Sequence, residues 1–344
     1  MTYNSLTVTD ICDLLIKEAE NNNKLLILAH RNPDGDAVGS AFALKLIYEK
    51  LSGKAICACC HEIPRYLSFL NKTQDTLKFC EETEYDTVVA VDTASPQQLG
   101  DLEYLAEKCA FAIDHHESFT PYCDTLRDHT SSATGEIIFE IYEEMKSRGL
   151  MGDDADVCRL LYSAISADTG SFMYSNTTCK THNIAGKLIE IINNDKNGIN
   201  TAELARLLHN SRSMSALKAQ KLCIENLKSA EDGKITYIIL ERDNIMKENL
   251  RDEDFGAAVD IPRSVEGAMV SFVLKESDKK TEDNKSIYRI STRSSCNVNV
   301  ADICKKFNGG GHAKAAGASI EAENAIVAEK AVLSEFIKAL KEEI

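Results

Sequence analysis

Short apolar runs that break at a histidine or an aspartate organise the first half of the chain. Residues 24–29 (KLLILA) end at His30, residues 87–91 (TVVAV) end at Asp92, and residues 110–113 (AFAI) end at Asp114. The runs are continuous, not alternating, which is the pattern of strands covered on both faces. A helical stretch over 37–51 follows the first, so the region predicts an α/β domain built on a parallel sheet. Helical periodicity over 157–167 leads into Asp168, and further helices are expected over 185–192 and 201–227. Asn, Asp, Lys and Gly cluster around 193–201 and mark a connection. Beyond it, 234–240, 267–275 and 286–294 read as strands separated by polar turns, and 300–307 and 323–341 read as helices. This texture predicts a smaller α+β domain carrying a mixed sheet. The expected division is 1–193 for the first domain, 194–230 for a helical linker and 231–344 for the second.

A chain of 344 residues is long enough for two cores, and 44% hydrophobic with 27% charged residues is a globular composition. No window approaches the roughly eighteen uninterrupted apolar residues of a membrane span. The first twenty residues carry early acids and lack a basic segment followed by an apolar block, so no signal peptide and a cytoplasmic location are expected. The twelve cysteines are scattered through apolar patterns, which predicts reduced, buried thiols. The cluster Cys57, Cys59, Cys60 lacks the second pair or histidine of a zinc knuckle. A formal net charge of −15 argues against long duplex DNA as a partner. A short oligonucleotide or a nucleotide stays compatible, because bound metal ions and a few arginines supply local positive charge.

The chemistry-bearing residues sit at the ends of those runs. His30-Arg31-Asn32-Pro33-Asp34-Gly35-Asp36 places an imidazole and two carboxylates on one turn, where hard divalent cations find suitable donors. Asp114-His115-His116 puts three titratable groups side by side at a strand end, an expensive arrangement unless something binds there. Ligand sites in open α/β sheets form outside the carboxyl ends of the strands, so these segments aim at one edge. Taken singly, Asp34, Asp92 and Asp168 are equally readable as helix caps. In the second domain, Gly309, Gly310 and Gly311 precede His312. Such a run lets backbone amides approach a phosphate, although a flexible loop has the same composition. Arg293 closes a strand and suits a bidentate phosphate contact, with Arg263 and Lys314 as further candidates. His61, His129, His182 and His209 lack partners at ligand spacing, and Ser40 has no accompanying triad.

In order, His30-x-x-x-Asp34-x-Asp36, Asp92, Asp114-His115-His116 and Asp168 resemble the four motifs of the DHH phosphoesterase superfamily. The run from Gly309 to Gly317 resembles the glycine-rich motif of the DHH-associated domain. The resemblance covers nearly the whole chain. Ser131-Ser132-Ala133-Thr134-Gly135-Glu136 and Asp168-Thr169-Gly170-Ser171-Phe172 are similar to the compact nanoRNase and pAp phosphatase subgroup. An arginine often present in relatives shortly after Asp92 is replaced here by Gln97-Gln98. The resemblance implies a two-metal hydrolase of short RNA, releasing mononucleotides and removing the 3′-phosphate of pAp. A cyclic or linear dinucleotide phosphodiesterase and a RecJ-like single-strand exonuclease are the alternatives. It implies two divalent ions, Mn²⁺ before Mg²⁺ or Co²⁺, with His30, Asp34 and Asp92 on one and Asp36, Asp92, His115 and Asp168 on the other. His116 is then expected at the substrate phosphate and Asp114 behind an imidazole, both as catalytic residues. Arg293, Gly309, Gly310, Gly311 and His312 are expected to bind substrate. No membrane partner is expected, and a homodimer is compatible with the sequence.

Overall fold

The apolar runs become the centre of an all-parallel sheet. Its strands are β1 (Lys24–Leu28), β2 (Lys54–Ala58), β3 (Thr87–Val91), β4 (Cys109–Asp114) and β5 (Asp124–Arg127), in the order β2-β1-β3-β4-β5. The computed structural model describes residues 3–59, 61–70, 84–256, 258–281 and 283–343. Leu25 and Ile27 of β1 enter one hydrophobic cluster, while Leu26 and Leu28 enter a second on the opposite face. Both faces are therefore dry, which is why the strand sequences do not alternate. Helices α1 (Val8–Glu20), α2 (Gly35–Lys50), α3 (Thr134–Ser147), α4 (Ala155–Asp168) and α5 (Cys179–Asn194) complete the domain. Most of α2 is buried. It packs tightly on α4 because it offers glycine there: a Cβ on Gly39 would lie 2.6 Å from the Leu160 carbonyl oxygen, and one on Gly35 2.4 Å from Ala167 Cβ.

The chain divides into two units, Met1–Ser211 and Arg212–Ile344. The dividing line falls inside 194–230, so the segment expected as a separate linker is shared between them. The helix expected over 201–227 is interrupted. Thr201–Ala205 continues into a single wide turn at Arg206–Asn210, and a new helix, Met214–Glu225, starts at Ser213, whose hydroxyl accepts the Ala216 amide.

The second unit holds a six-stranded mixed sheet. Its strands are β6 (Leu227–Ala230), β7 (Ile235–Leu240), β8 (Val270–Lys280), β9 (Ser286–Ser294), β10 (Gly310–His312) and β11 (Ala315–Ala322), in the order β10-β11-β9-β8-β7-β6. The β7–β8 pair is parallel and the others are antiparallel. Helices Val300–Lys305 and Ala325–Glu343 cover one face, with Phe336 of the second helix packed in one cluster with Phe272, Tyr288 and Ile290 of the sheet. The α/β and α+β expectations agree with this architecture. Among the described residues the cysteines are free thiols, most of them buried, with Cys179 exposed; Cys60 lies outside the described residues. No helix among the described residues is long and apolar enough to cross a membrane.

Candidate active site

His30 follows β1, Asp34 and Asp36 open α2, Asp92 follows β3, Asp114-His115-His116 ends β4, and Asp168 is the last residue of α4. Asp34 does cap its helix: Oδ1 accepts the backbone amides of Asp36 and Ala37, each at 3.0 Å. Asp36 is buried, and its carboxylate accepts the Thr134 amide at 2.7 Å, the Gly135 amide at 3.0 Å and the Ser40 hydroxyl at 2.9 Å. The N-terminus of α3 thus fixes the plane of that carboxylate. Asp92 turns out of β3 with φ +53°, a left-handed conformation that aspartate tolerates better than most residues. Its amide donates to the Ile113 carbonyl and its Oδ1 accepts the Thr134 hydroxyl at 3.0 Å.

These side chains form overlapping groups whose ligand atoms lie within 4.8 Å of one another: His30, Asp34 and Asp92; Asp36, His115 and Asp168; and Asp92, His115 and His116. Asp92 faces both ways. Its Oδ2 is 3.6 Å from His30 Nε2, and its Oδ1 is 3.8 Å from His115 Nε2. His115 Nδ1 lies 3.2 Å from the Ser131 carbonyl oxygen, which can only accept, so Nδ1 carries a proton and Nε2 turns inward. Nε2 faces oxygens of Asp36, Asp92 and Asp168 at 3.8, 3.8 and 3.6 Å. These separations are too long for hydrogen bonds, and an imidazole nitrogen among three carboxylates is a donor arrangement suited to a divalent cation. The donor set therefore fits hard divalent ions. His116 differs: its Nδ1 donates to Asp114 Oδ1 at 2.8 Å, so the nitrogen nearest Asp92 is already committed.

The electrostatics describe the same crowding of anions. Burial and the charges of Asp92, Asp168 and Asp34 push Asp36 well above the usual carboxylate range. Burial raises Asp168 to about 6, with Asp92 and Asp34 adding to the shift and His115 opposing it. Burial works against the charge on Asp92, yet His30, His116 and His115 bring it down to about 2. Partial burial works against the charge on His30 and His116, but the facing carboxylates hold them up at about 10 and about 9.

Several supporting residues carry no titratable signal. The carbonyl of Ser131, the amides of Thr134 and Gly135 and the hydroxyls of Thr134 and Ser40 orient the site; the Ser131–Glu136 motif pointed to the first three residues, and nothing in the sequence assigned this role to Ser40. Arg127 donates from Nε to the His116 carbonyl at 2.9 Å and from its guanidinium to the Glu117 carbonyl, holding the loop after the triplet. Of the Gln97-Gln98 pair, Gln98 Oε1 accepts the Ala94 amide at 2.6 Å and belongs to the loop. Ser40 serves Asp36, His61 pairs with Asn32, His182 stacks on Phe172, His209 contacts Ser166 and His129 is exposed.

In the second unit, Arg293 ends β9 and its guanidinium donates to the Thr292 carbonyl at 2.9 Å. The glycine run is not a loop. Gly310, Gly311 and His312 form the edge strand β10 against β11. A Cβ on Gly309 would lie 2.2 Å from the Gly317 carbonyl oxygen, and Gly311 adopts φ +140°, so both positions require glycine for the backbone itself. The Gly309 amide donates to the Cys304 carbonyl, which corrects the expectation that it serves a phosphate. Lys314 Nζ donates to the Cys296 carbonyl, and Arg263 lies 4.0 Å from Asp260.

A parallel α/β domain with an aspartate–imidazole cluster at its carboxyl edge, followed by an α+β domain on a mixed sheet, defines a class of two-domain proteins. The chain belongs to the DHH family: residues 24–165 match the DHH family N-terminal domain and residues 232–344 match the DHHA1 domain. It is 32% identical over 299 residues to the probable bifunctional oligoribonuclease and PAP phosphatase NrnA of Streptococcus mutans, covering 86% of this chain and 89% of the relative. The bifunctional oligoribonuclease and PAP phosphatase NrnA of Bacillus subtilis is 29% identical over 308 residues, 89% of this chain and 92% of the relative. The fold matches the crystal structure of an exopolyphosphatase-related protein from Bacteroides fragilis with a TM-score of 0.80, at 21% identity over 96% of both chains.

Proposed function

We propose that the chain is a two-metal phosphoesterase that hydrolyses short oligoribonucleotides to mononucleotides and removes the 3′-phosphate of pAp. The observation that carries the reading is the two-sided placement of Asp92, whose oxygens serve separate ligand groups. A pair of ions held a few ångströms apart requires such a bridge. His30, Asp34 and Asp92 would hold one ion, and Asp36, Asp92, His115 and Asp168 the other, with Mn²⁺ as the first choice of metal. Bound there, the two ions supply a hydroxide nucleophile near neutral pH and neutralise charge on the phosphoryl oxygens.

The chain's own residues do the rest. Thr134, Gly135 and Ser40 keep the Asp36 carboxylate in one plane, and the Ser131 carbonyl keeps His115 in the tautomer whose Nε2 is a donor to metal. Asp114 holds His116 with the proton on Nδ1, and His116 bears on the scissile phosphate or the departing oxygen from its other nitrogen. Arg293, Gly310, Gly311 and His312 engage the substrate's phosphates in the second unit. The names of the Streptococcus and Bacillus relatives support this choice of substrate over a cyclic dinucleotide.

The test is a panel of dinucleotide RNA, pAp and cyclic di-AMP with purified protein and Mn²⁺, products being resolved by chain length. Mononucleotides from the dinucleotide and AMP from pAp are expected. Turnover confined to the cyclic substrate, or none on any of the three, overturns the proposal.

A further inference from the structure

One face of the second unit's sheet is covered on only one half. Ile238, Leu240 and Val273 of β7 and β8 lie beneath Ile245, Phe255 and Ala258. On the remaining strands the same face shows Arg289, Ser291, Gly310, His312, Gly317 and Ser319, all exposed. Strand register arranges these in rows, because residues opposite one another point to one side. His312 stands opposite Ala315, which stands opposite Arg293. Next come Gly310, Gly317 and Ser291, and then Ser319, Arg289 and Lys275. The middle row has no bulk. The open half is a floor of glycine and serine with a cationic row on either side.

The second cationic row sets three cations on one carboxylate. Lys275, Arg289 and Arg242 lie 3.4, 3.6 and 3.6 Å from Asp252. Glu276, which accepts the Arg242 amide and the Ser286 hydroxyl, and Glu241, which precedes Arg242, border this row, while Glu321 lies at the far end opposite Ile287. Burial, together with Arg289 and Arg242, holds Lys275 below the usual lysine range in spite of Asp252. In a chain of net charge −15, a small-residue floor between two positive rows is complementary to the backbone of a single-stranded nucleic acid.

We infer that Arg289 and Lys275 form a second phosphate-binding position, distinct from Arg293 and His312, which receives the distal phosphates of oligonucleotides longer than two residues. The inference rests on the phosphoester reading above and adds to it a basis for length preference. Arg289 and Arg293 are four residues apart on one strand, about 13 Å. A 5′-phosphorylated dinucleotide placed at Arg293 engages one row, and a longer chain lying across the floor engages both.

The experiment compares wild type with Arg289→Ala and Arg289→Lys on 5′-phosphorylated di- and pentaribonucleotides. Arg289→Ala is expected to raise the pentanucleotide KM about tenfold relative to the dinucleotide KM, with kcat little altered and partial rescue by lysine. Pentanucleotide binding, followed by fluorescence anisotropy in EDTA across a salt series, is expected to lose about one unit of salt slope in Arg289→Ala. Equal KM changes for both lengths, or none for either with an unchanged slope, overturn the inference. So does a wild-type dimer that Arg289→Ala dissociates, since the face is then an interface between copies. A wild type that binds the pentanucleotide with the expected slope but hydrolyses no oligonucleotide defeats the functional proposal and leaves the binding position standing.

Discussion

At the residue scale, Asp92 answers two demands with one side chain. It must tolerate φ +53° and present an oxygen on each side. Alanine fails the first demand as well as the second, so Asp92→Ala mixes backbone strain with lost charge. Asp92→Asn separates them, since asparagine accepts the left-handed conformation and its side-chain oxygen can still take the Thr134 hydroxyl. Without metal, Asp92→Asn is expected to melt below the wild-type temperature, because His30, His116 and His115 favour the ionised Asp92 in the folded chain and asparagine forfeits that contribution. It is also expected to lose the thermal shift that Mn²⁺ gives the wild type, and its turnover; a retained shift would sink the bridging role. Asp114 acts on the proton. Both its oxygens face His116, Oδ1 at the ring Nδ1 and Oδ2 at the amide. Asp114→Asn is expected to keep Mn²⁺ binding while lowering kcat by about 10²–10⁴-fold, the range for a misplaced general acid–base group. The carboxylate stabilises the imidazolium, so its loss lowers the His116 pKa and moves the alkaline limb of the pH–rate profile to lower pH.

At the element scale, the site depends on how closely α2 approaches α4, because Asp36 opens one and Asp168 ends the other. Gly39 permits that approach. A Cβ there meets the Leu160 carbonyl at 2.6 Å and Ala164 Cβ at 2.9 Å, so Gly39→Ala is expected to cost about 1–3 kcal/mol. It also spreads the two carboxylates, weakening Mn²⁺ binding without touching a ligand, which calorimetric titration beside a melting curve will show. The same elements explain what sequence patterns reveal. Buried strands β1, β3 and β4 are legible because covering on both faces makes them uniformly apolar and the site makes them stop at His or Asp. The outer strands β2 and β5 are less uniformly apolar: Lys54 and Ile56 of β2 are not fully buried, and β5 begins and ends in charge, so no period marks them. The glycine run was legible as special but not as a strand, since its glycines answer to the neighbouring backbone of β11. Backbone groups such as the Thr134 amide and the Ser131 carbonyl have no side-chain signature at all, and only the resemblance to a known motif drew notice to them.

At the scale of the whole molecule, the first unit stores electrostatic repulsion that cations relieve. In the metal-free chain Asp168 titrates near 6, above its ordinary 3.8. A carboxyl raised in the folded state favours folding while protonated, and that contribution is lost as pH climbs from about 4 through about 6. Asp36 is shifted in the same direction. The metal-free protein is therefore expected to lose stability over this interval on account of these two groups. The metal-loaded protein behaves oppositely, because each proton that leaves Asp168 or Asp36 frees an oxygen for a cation. The increment in melting temperature produced by Mn²⁺ should be small near pH 5 and grow toward pH 7. At saturation a hundredfold above Kd, the stabilisation is about 2.7 kcal/mol per site. Every proposed ligand belongs to Met1–Ser211, so in differential scanning calorimetry the increment belongs to the transition of that unit. Where two transitions resolve, Mn²⁺ is expected to raise the one whose tryptic fragments map to the first unit, and EDTA to reverse it. A pH-independent increment, or one confined to the transition of Arg212–Ile344, would mean that the carboxylates at the strand ends do not hold the metal.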